Sequence, residues 1–178
     1  SGWIRANSIF NLDITDGMSE EIIVTVSGGF DPIHVGLVRM IQEAAKLGDK
    51  LVVIMNNDNW LNKKKGEAFM PQEQRKEIIE ALEGVHKVVL TGHEPDCEDM
   101  SVCDALREIQ PHIFANGGDR FADNIPEAVL ARELGIDTVF NVGRGGKMQS
   151  SSWLTADDRG ERECFCESGE KYIKCHGA

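Results

Sequence analysis

Five short runs of β-branched and aliphatic residues, separated by helical patterns, constrain this chain more than any other feature. Residues 21–27 (EIIVTVS), 50–55 (KLVVIM), 87–90, 112–115 and 138–142 read as buried strands. Apolar residues at helical spacing fill 35–47, closed by Gly48, and Pro71 opens a helix running to about Leu82, stopped by Gly84. Further helices are expected at 101–109 and 126–134, and the polar stretch 56–69 reads as a loop. Strands alternating with helices require a parallel sheet with right-handed crossovers, covered on both faces. The expectation is a doubly wound α/β domain of five parallel strands. Such domains bind ligands at the carboxyl ends of their strands. The glycine loops at 28–29, 117–118 and 143–146 all follow a strand.

A chain of 178 residues is long enough for one well-cored domain and a small appendage. The net charge of −11 argues against duplex nucleic acid as a partner, because that binding rests on Lys and Arg neutralising phosphates. No apolar run approaches the ~20 residues that span a bilayer, and the N-terminus lacks a signal-peptide pattern. A soluble, cytoplasmic protein is expected. Met18 is a plausible natural start, which makes residues 1–17 a vector-derived leader. The nucleotide-handling domain then runs over 18–155, a polar tether over 156–163 and a cysteine-rich tail over 164–178.

Val26-Ser27-Gly28-Gly29-Phe30-Asp31-Pro32-Ile33-His34-Val35-Gly36-Leu37 joins the first strand to the first helix. Two glycines let the backbone approach a ligand closely, and the amides and dipole of a helix start favour anions. This string resembles the first signature of the nucleotidylyltransferase superfamily, G-x-F-D-x-x-H-x-G-H, in its Rossmann-like cytidylyltransferase branch. Gly28, Phe30, Asp31, His34 and Gly36 match, while Leu37 stands where the second histidine belongs. The likeness continues in order through Leu47-Gly48-Asp49-Lys50, Asn57-Asp58, Lys63-Lys64-Lys65, Pro71 with Glu73 and Arg75, Gly117-Gly118-Asp119 and 147–152 (KMQSSS). The branch includes glycerol-3-phosphate cytidylyltransferase and the heptose-phosphate nucleotidyltransferases.

The resemblance implies transfer of a nucleotidyl group from CTP, or less favourably ATP, to a small phosphorylated polyol or sugar, with release of pyrophosphate. It also implies a Mg2+ ion held mostly by triphosphate oxygens and water, and a homodimer. Phosphoryl transfer is catalysed chiefly by positioning and electrostatic stabilisation. The Gly28 and Gly29 amides can cradle phosphate, and His34 can hydrogen-bond it. One lysine, by spacing Lys64, can neutralise developing charge. Ser150, Ser151 and Ser152 can meet the outer phosphates at the start of a last helix, with Phe30, Asp31, Gly36, Gly118, Asp119 and Arg144 completing the nucleotide site that the resemblance implies. Acceptor specificity falls to the loops near 92–103 and 120–125. Leu37 cannot donate a hydrogen bond, and losing one positioned donor costs ~10²–10³ in rate. Three outcomes follow: a substitute donor such as Arg39, Lys147 or Arg144, slow turnover, or a nucleotide-binding module docked to a partner by its tail.

In that tail, Cys164, Cys166, Cys175 and His176 supply three thiolates and an imidazole, the closed tetrahedral set of structural zinc. The pattern resembles the SEC-C motif, C-x-C-x-S-G-x-x-Y-x-x-C-[CH]. A small zinc knuckle is expected, its stability supplied by the metal, with Lys171 and Lys174 available to a protein partner.

Overall fold

The computed structural model describes residues 20–117, 125–143, 151–155, 161–164 and 168–175. The expected leader, most of the tether, and Gly118, Asp119, Arg144, Ser150, Cys166 and His176 lie outside the described residues.

Five strands form one parallel sheet in the order β3-β2-β1-β4-β5, namely β1 (Ile23–Gly28), β2 (Lys50–Met55), β3 (Val85–Leu90), β4 (Ile113–Ala115) and β5 (Asp137–Val139). The helices are α1 (Val35–Ala44), continued by a 3-10 turn Ala45–Leu47, then α2 (Asp58–Lys65), α3 (Gln72–Glu80), α4 (Cys103–Ile109), α5 (Pro126–Leu134), α6 (Ser151–Leu154) and α7 (Tyr172–Cys175). Among the described residues no helix is long and apolar enough to cross a membrane.

Alternation along β2 shows why the sheet is wound on both faces. Leu51, Val53 and Met55 point into one core with Met40, Ile41 and Ala44 of α1 and Ile79 of α3. Ile54 points into a second core with Cys103 and Leu106 of α4 and Leu130 and Ala131 of α5. A strand buried on both faces reads as a continuous apolar run, and β2 is buried from Leu51 through Met55. The strand order reverses between β1 and β4, so the segment leaving Gly28 starts at the switch point where such folds bind ligands.

One expected loop is a helix. Residues 58–65 form α2, which is capped by Asn57, whose Oδ1 accepts from the Trp60 amide at 3.0 Å. Asp58 sits in its first turn and Lys63, Lys64 and Lys65 in its last, each sign matching the helix dipole. Only Leu61 of this helix is buried, so the segment carries no apolar period.

Candidate functional site

The loop after β1 is built by contacts that its own sequence does not announce. At Gly29 an added Cβ would stand 2.9 Å from Leu61 Cδ2 and 3.6 Å from Trp60 Cζ3, so only glycine lets α2 lie against the loop. Phe30 follows at φ 51°, with its ring buried, and the Asp31-Pro32 peptide is cis. The Asp31 carboxylate is 1% exposed and both of its oxygens are engaged: the Phe69 amide donates to Oδ2 at 2.8 Å and the Met70 amide to Oδ1 at 2.7 Å. Asp31 thus shapes the loop from inside.

Arg75 does the same from α3. Its side chain is fully buried, and Nη1 donates to Gly29 O at 2.6 Å and to Asn56 O at 2.8 Å. Nε donates to Met70 O at 2.9 Å, and Nη2 pairs with Asp58 Oδ1 at 2.5 Å. One guanidinium therefore ties together the ends of β1 and β2, the start of α2 and the 66–70 turn. The planar fork of arginine suits such multiple contacts.

His34 stands at the N-cap position of α1 with extended backbone (φ −137°, ψ 167°) and makes no side-chain cap bond. Its carbonyl accepts from the Leu37 and Val38 amides at 2.9 and 3.2 Å. Its Nδ1 is buried without a partner, and burial lowers its pKa below the usual histidine value. An unsatisfied buried polar atom is costly, and Nδ1 is sealed from solvent, so the imidazole is offered to a ligand by its place on the loop and not by that atom. Gly36 makes room for that ring: an added Cβ would lie 3.1 Å from His34 Cε1 and Nδ1. Asn56 Oδ1, at the end of β2, is a second buried acceptor without a partner, and no sequence motif pointed to it.

The three lysines of α2 go to three different places. Lys63 Nζ donates to Cys97 O, and Lys64 Nζ stands 4.9 Å from the Trp60 ring centroid. Lys65 Nζ donates to Asp31 O at 2.8 Å, with a pKa lowered chiefly by desolvation and raised in part by the Asp31 charge. Ser151, opening α6, donates from Oγ to Pro32 O at 2.9 Å, which brings the last signature onto the first. Ser152 lies in α6 beside it. Leu37 is half-buried and packs against the core under α1, presenting no polar group. Gly28, Gly29, His34, Lys65 and Ser151 thus gather at the carboxyl end of β1, with Lys64 above the adjoining indole.

Beyond β3 lies a cavity of about 390 Å³ lined by Thr91, Gly92, His93, Cys97, Ser101 and Val102, among others. In the tail, Cys164 is buried and Cys175 half-buried, neither in a disulfide, and residues Glu163 and Lys171 form an antiparallel bridge. The Cys164 amide donates to Glu170 O at 2.7 Å, and Ser168 Oγ donates to Cys175 Sγ at 3.7 Å.

A family model described as cytidylyltransferase-like matches residues 25–152. The chain belongs to the cytidylyltransferase-like family. The match takes in β1 to β5 and the opening of α6, which covers the whole of the site just described. Among curated relatives, an FAD synthase of Ferroglobus placidus is 40% identical over 111 residues, covering 62% of this chain and 66% of that one. The bifunctional protein HldE of Pelobacter propionicus is 35% identical over 114 residues, covering 63% of this chain and 21% of that one. The match therefore spans about two thirds of the FAD synthase and a fifth of HldE. Among solved structures, the lipopolysaccharide core biosynthesis protein of Thermoplasma volcanium is similar with a TM-score of 0.57 at 26% identity, covering 71% of this chain and all of that one. A pantoate-beta-alanine ligase of Francisella tularensis shares the fold, with a TM-score of 0.56 at 16% identity, covering 80% of this chain and 68% of that one.

Proposed function

We propose that the chain transfers a nucleotidyl group from a nucleoside triphosphate to the phosphate of a small acceptor, with release of pyrophosphate. The observation that carries this reading is His34: a half-buried imidazole at the N-cap of α1, on a glycine loop at the switch point, just after the Asp31 and Pro32 carbonyls that Lys65 and Ser151 bond. In the reaction the acceptor's phosphate oxygen forms a bond to the α-phosphorus, and the bond from that phosphorus to the bridging oxygen of pyrophosphate breaks. His34 bonds to a phosphate oxygen, the Gly28 and Gly29 amides line its approach, and Lys64 and Lys65 offset the charge that gathers on the leaving group. Gly118, Asp119, Arg144, Ser150 and Ser152 belong to the same proposal through the family signatures.

Mg2+ fits this site as an ion carried on the nucleotide, because the nearby carboxylates of Asp31 and Asp58 are engaged by backbone amides and by Arg75. When bound it draws charge from the phosphates. The cavity beyond β3 is the acceptor pocket in this proposal, at the loop expected to set specificity. CTP follows from the sequence resemblance, whereas relatives named FAD synthase support ATP, since FAD is an adenylylated flavin mononucleotide. Purified protein is mixed with Mg2+, each of ATP and CTP, and a panel of flavin mononucleotide, glycerol phosphate and sugar phosphates. Pyrophosphate release that disappears in His34→Ala supports the proposal, and silence in both the natural chain and Leu37→His refutes turnover.

Leu37 supports a second reading, a nucleotide-binding module without turnover, because its side chain packs against the apolar core and offers no hydrogen-bond donor. Calorimetry separates the two: tight nucleotide binding with no pyrophosphate release selects the module. For the tail we propose a structural zinc on Cys164, Cys166, Cys175 and His176, supported by the closed set of three thiolates and one imidazole that the sequence supplies. One zinc per chain by native mass spectrometry, lost in Cys164→Ser, is expected; a metal-free native chain refutes it. A protein partner for the tail and a homodimer stand as parts of the same proposal.

A further inference from the structure

We propose that Trp60 is a positioning residue for Lys64, holding its ammonium against the phosphate loop by the face of the indole. The inference rests on the phosphate-site reading above. Two contacts fix the ring and a third fixes its backbone. Its Cζ3 edge lies over Gly29, 3.6 Å from where a Cβ would be, so indole and phosphate loop are in direct apposition. Its Nε1–H donates to Met100 O at 2.8 Å. Its backbone amide is capped by Asn57 Oδ1 at 3.0 Å. Lys64 Nζ stands 4.9 Å from the ring centroid, within the ~6 Å over which a ring quadrupole attracts a cation.

The Met100 end is itself held by α2. Asn57 Nδ2 and Asn59 Nδ2 both donate to His93 O, at 2.8 and 2.9 Å, and Lys63 Nζ donates to Cys97 O. The His93 ring bridges Thr91 Oγ1 at 2.8 Å and Ser101 O at 3.0 Å, so the 92–101 segment is stapled to the helix along its length. Trp60 is thus clamped between this segment and Gly29, and it turns a flexible lysine into an oriented one. An ammonium on a four-carbon stem has many rotamers to lose, and a fixed aromatic face removes that loss before the phosphate arrives. Lys63 is used by the clamp and Lys65 by Asp31 O, which leaves Lys64 as the lysine that the indole directs.

The test replaces Trp60 site-specifically with mono-, di- and trifluorotryptophan in the full chain, which weakens the ring's negative face while keeping its shape. Pyrophosphate release gives kcat and KM, and calorimetry gives the affinity for inorganic pyrophosphate with Mg2+. Stepwise fluorination is expected to lower kcat and pyrophosphate affinity progressively, by about two- to fivefold in total. The slope should vanish in a Lys64→Met background. Trp60→Phe, which keeps a ring without the N–H, is expected to retain more activity than Trp60→Leu at equal folded fraction. A flat fluorine series in a protein that turns over or binds pyrophosphate overturns the role of Trp60 alone, as does an equal slope without Lys64. A natural chain that neither releases nor binds pyrophosphate overturns both this inference and the phosphate-site reading.

Discussion

Arg75 is the side chain on which the loop's shape most depends, and Arg75→Met measures how much. The substitution keeps an unbranched chain of similar reach but removes every donor. Removing one partner of a buried ion pair costs about 3–5 kcal/mol. Asp58 keeps 32% of its side chain exposed, so water compensates the orphaned carboxylate in part and draws the pair term to the lower end. Against that, the carbonyls of Gly29, Asn56 and Met70 lose their donor at about 1 kcal/mol each where water cannot replace it. The net expectation is a loss of about 3–6 kcal/mol. At about 2–4 °C per kcal/mol for a chain of this size, the melting temperature falls by roughly 6–24 °C. The comparison variant is Arg107→Met, which breaks an exposed pair with Asp104 and should change stability by less than about 0.5 kcal/mol. Urea denaturation followed by circular dichroism gives both numbers under one set of conditions. Because Arg75 also anchors the ends of β1 and β2, pyrophosphate affinity should fall with stability. A loss below about 1 kcal/mol for Arg75→Met refutes the reasoning, since the buried guanidinium would then be replaceable by any chain of similar length.

Gly36→Ala should separate stability from function. The new methyl meets the His34 ring at 3.1 Å and turns it, while alanine in α1 gains up to about 1 kcal/mol of helix propensity; pyrophosphate affinity is expected to fall as the melting temperature holds or rises, and an unchanged affinity would contradict the packing. His34 gives a pH dependence of known sign. Its pKa in the free protein is lowered by burial, and a bound anion raises it, so binding takes up a proton and affinity should strengthen as pH falls through the window between the two values; NMR titration of the imidazole checks this, and an affinity flat from pH 8 to 5.5 would remove His34 from the site. Folding has the same direction: a depressed histidine pKa contributes stability above the unfolded value near 6.5 that is lost as pH falls through the folded one. Leu37→His puts a donor in the first turn of α1 and should raise the rate of pyrophosphate release by about tenfold or more; no gain would show that position 37 cannot reach the phosphates.

How much of this was readable in the residues depends on where each side chain ends. β2 lies where its apolar run predicts, over Lys50–Met55, because burial on both faces leaves no polar interruption. The start of α1 at Val35 followed from the apolar spacing over 35–47, and α5 lies over Pro126–Leu134 where its opening proline and closing glycine place it. The helix Asp58–Lys65 was not, since a single buried residue, Leu61, gives no period; its signals were the Asn57 cap and the basic last turn. Asp31 and Arg75 stand in motif positions whose internal partners the sequence did not show: the folded chain sets them against Phe69, Met70 and Asp58. Consecutive lysines at 63, 64 and 65 could not be told apart by sequence, because successive helical residues point about 100° apart and only the neighbouring loop decides what each meets.

The central claim is that the loop from Gly28 to His34 holds nucleotide phosphates. Titrating isotopically labelled protein with Mg2+ and pyrophosphate, and following backbone amide and histidine ring shifts, tests it most directly. Saturable shifts concentrated at Gly28, Gly29, the His34 ring and Ser151 are expected, with the distant strand β5 unmoved. Saturable shifts elsewhere with this loop silent, or no shifts at millimolar pyrophosphate, would contradict it.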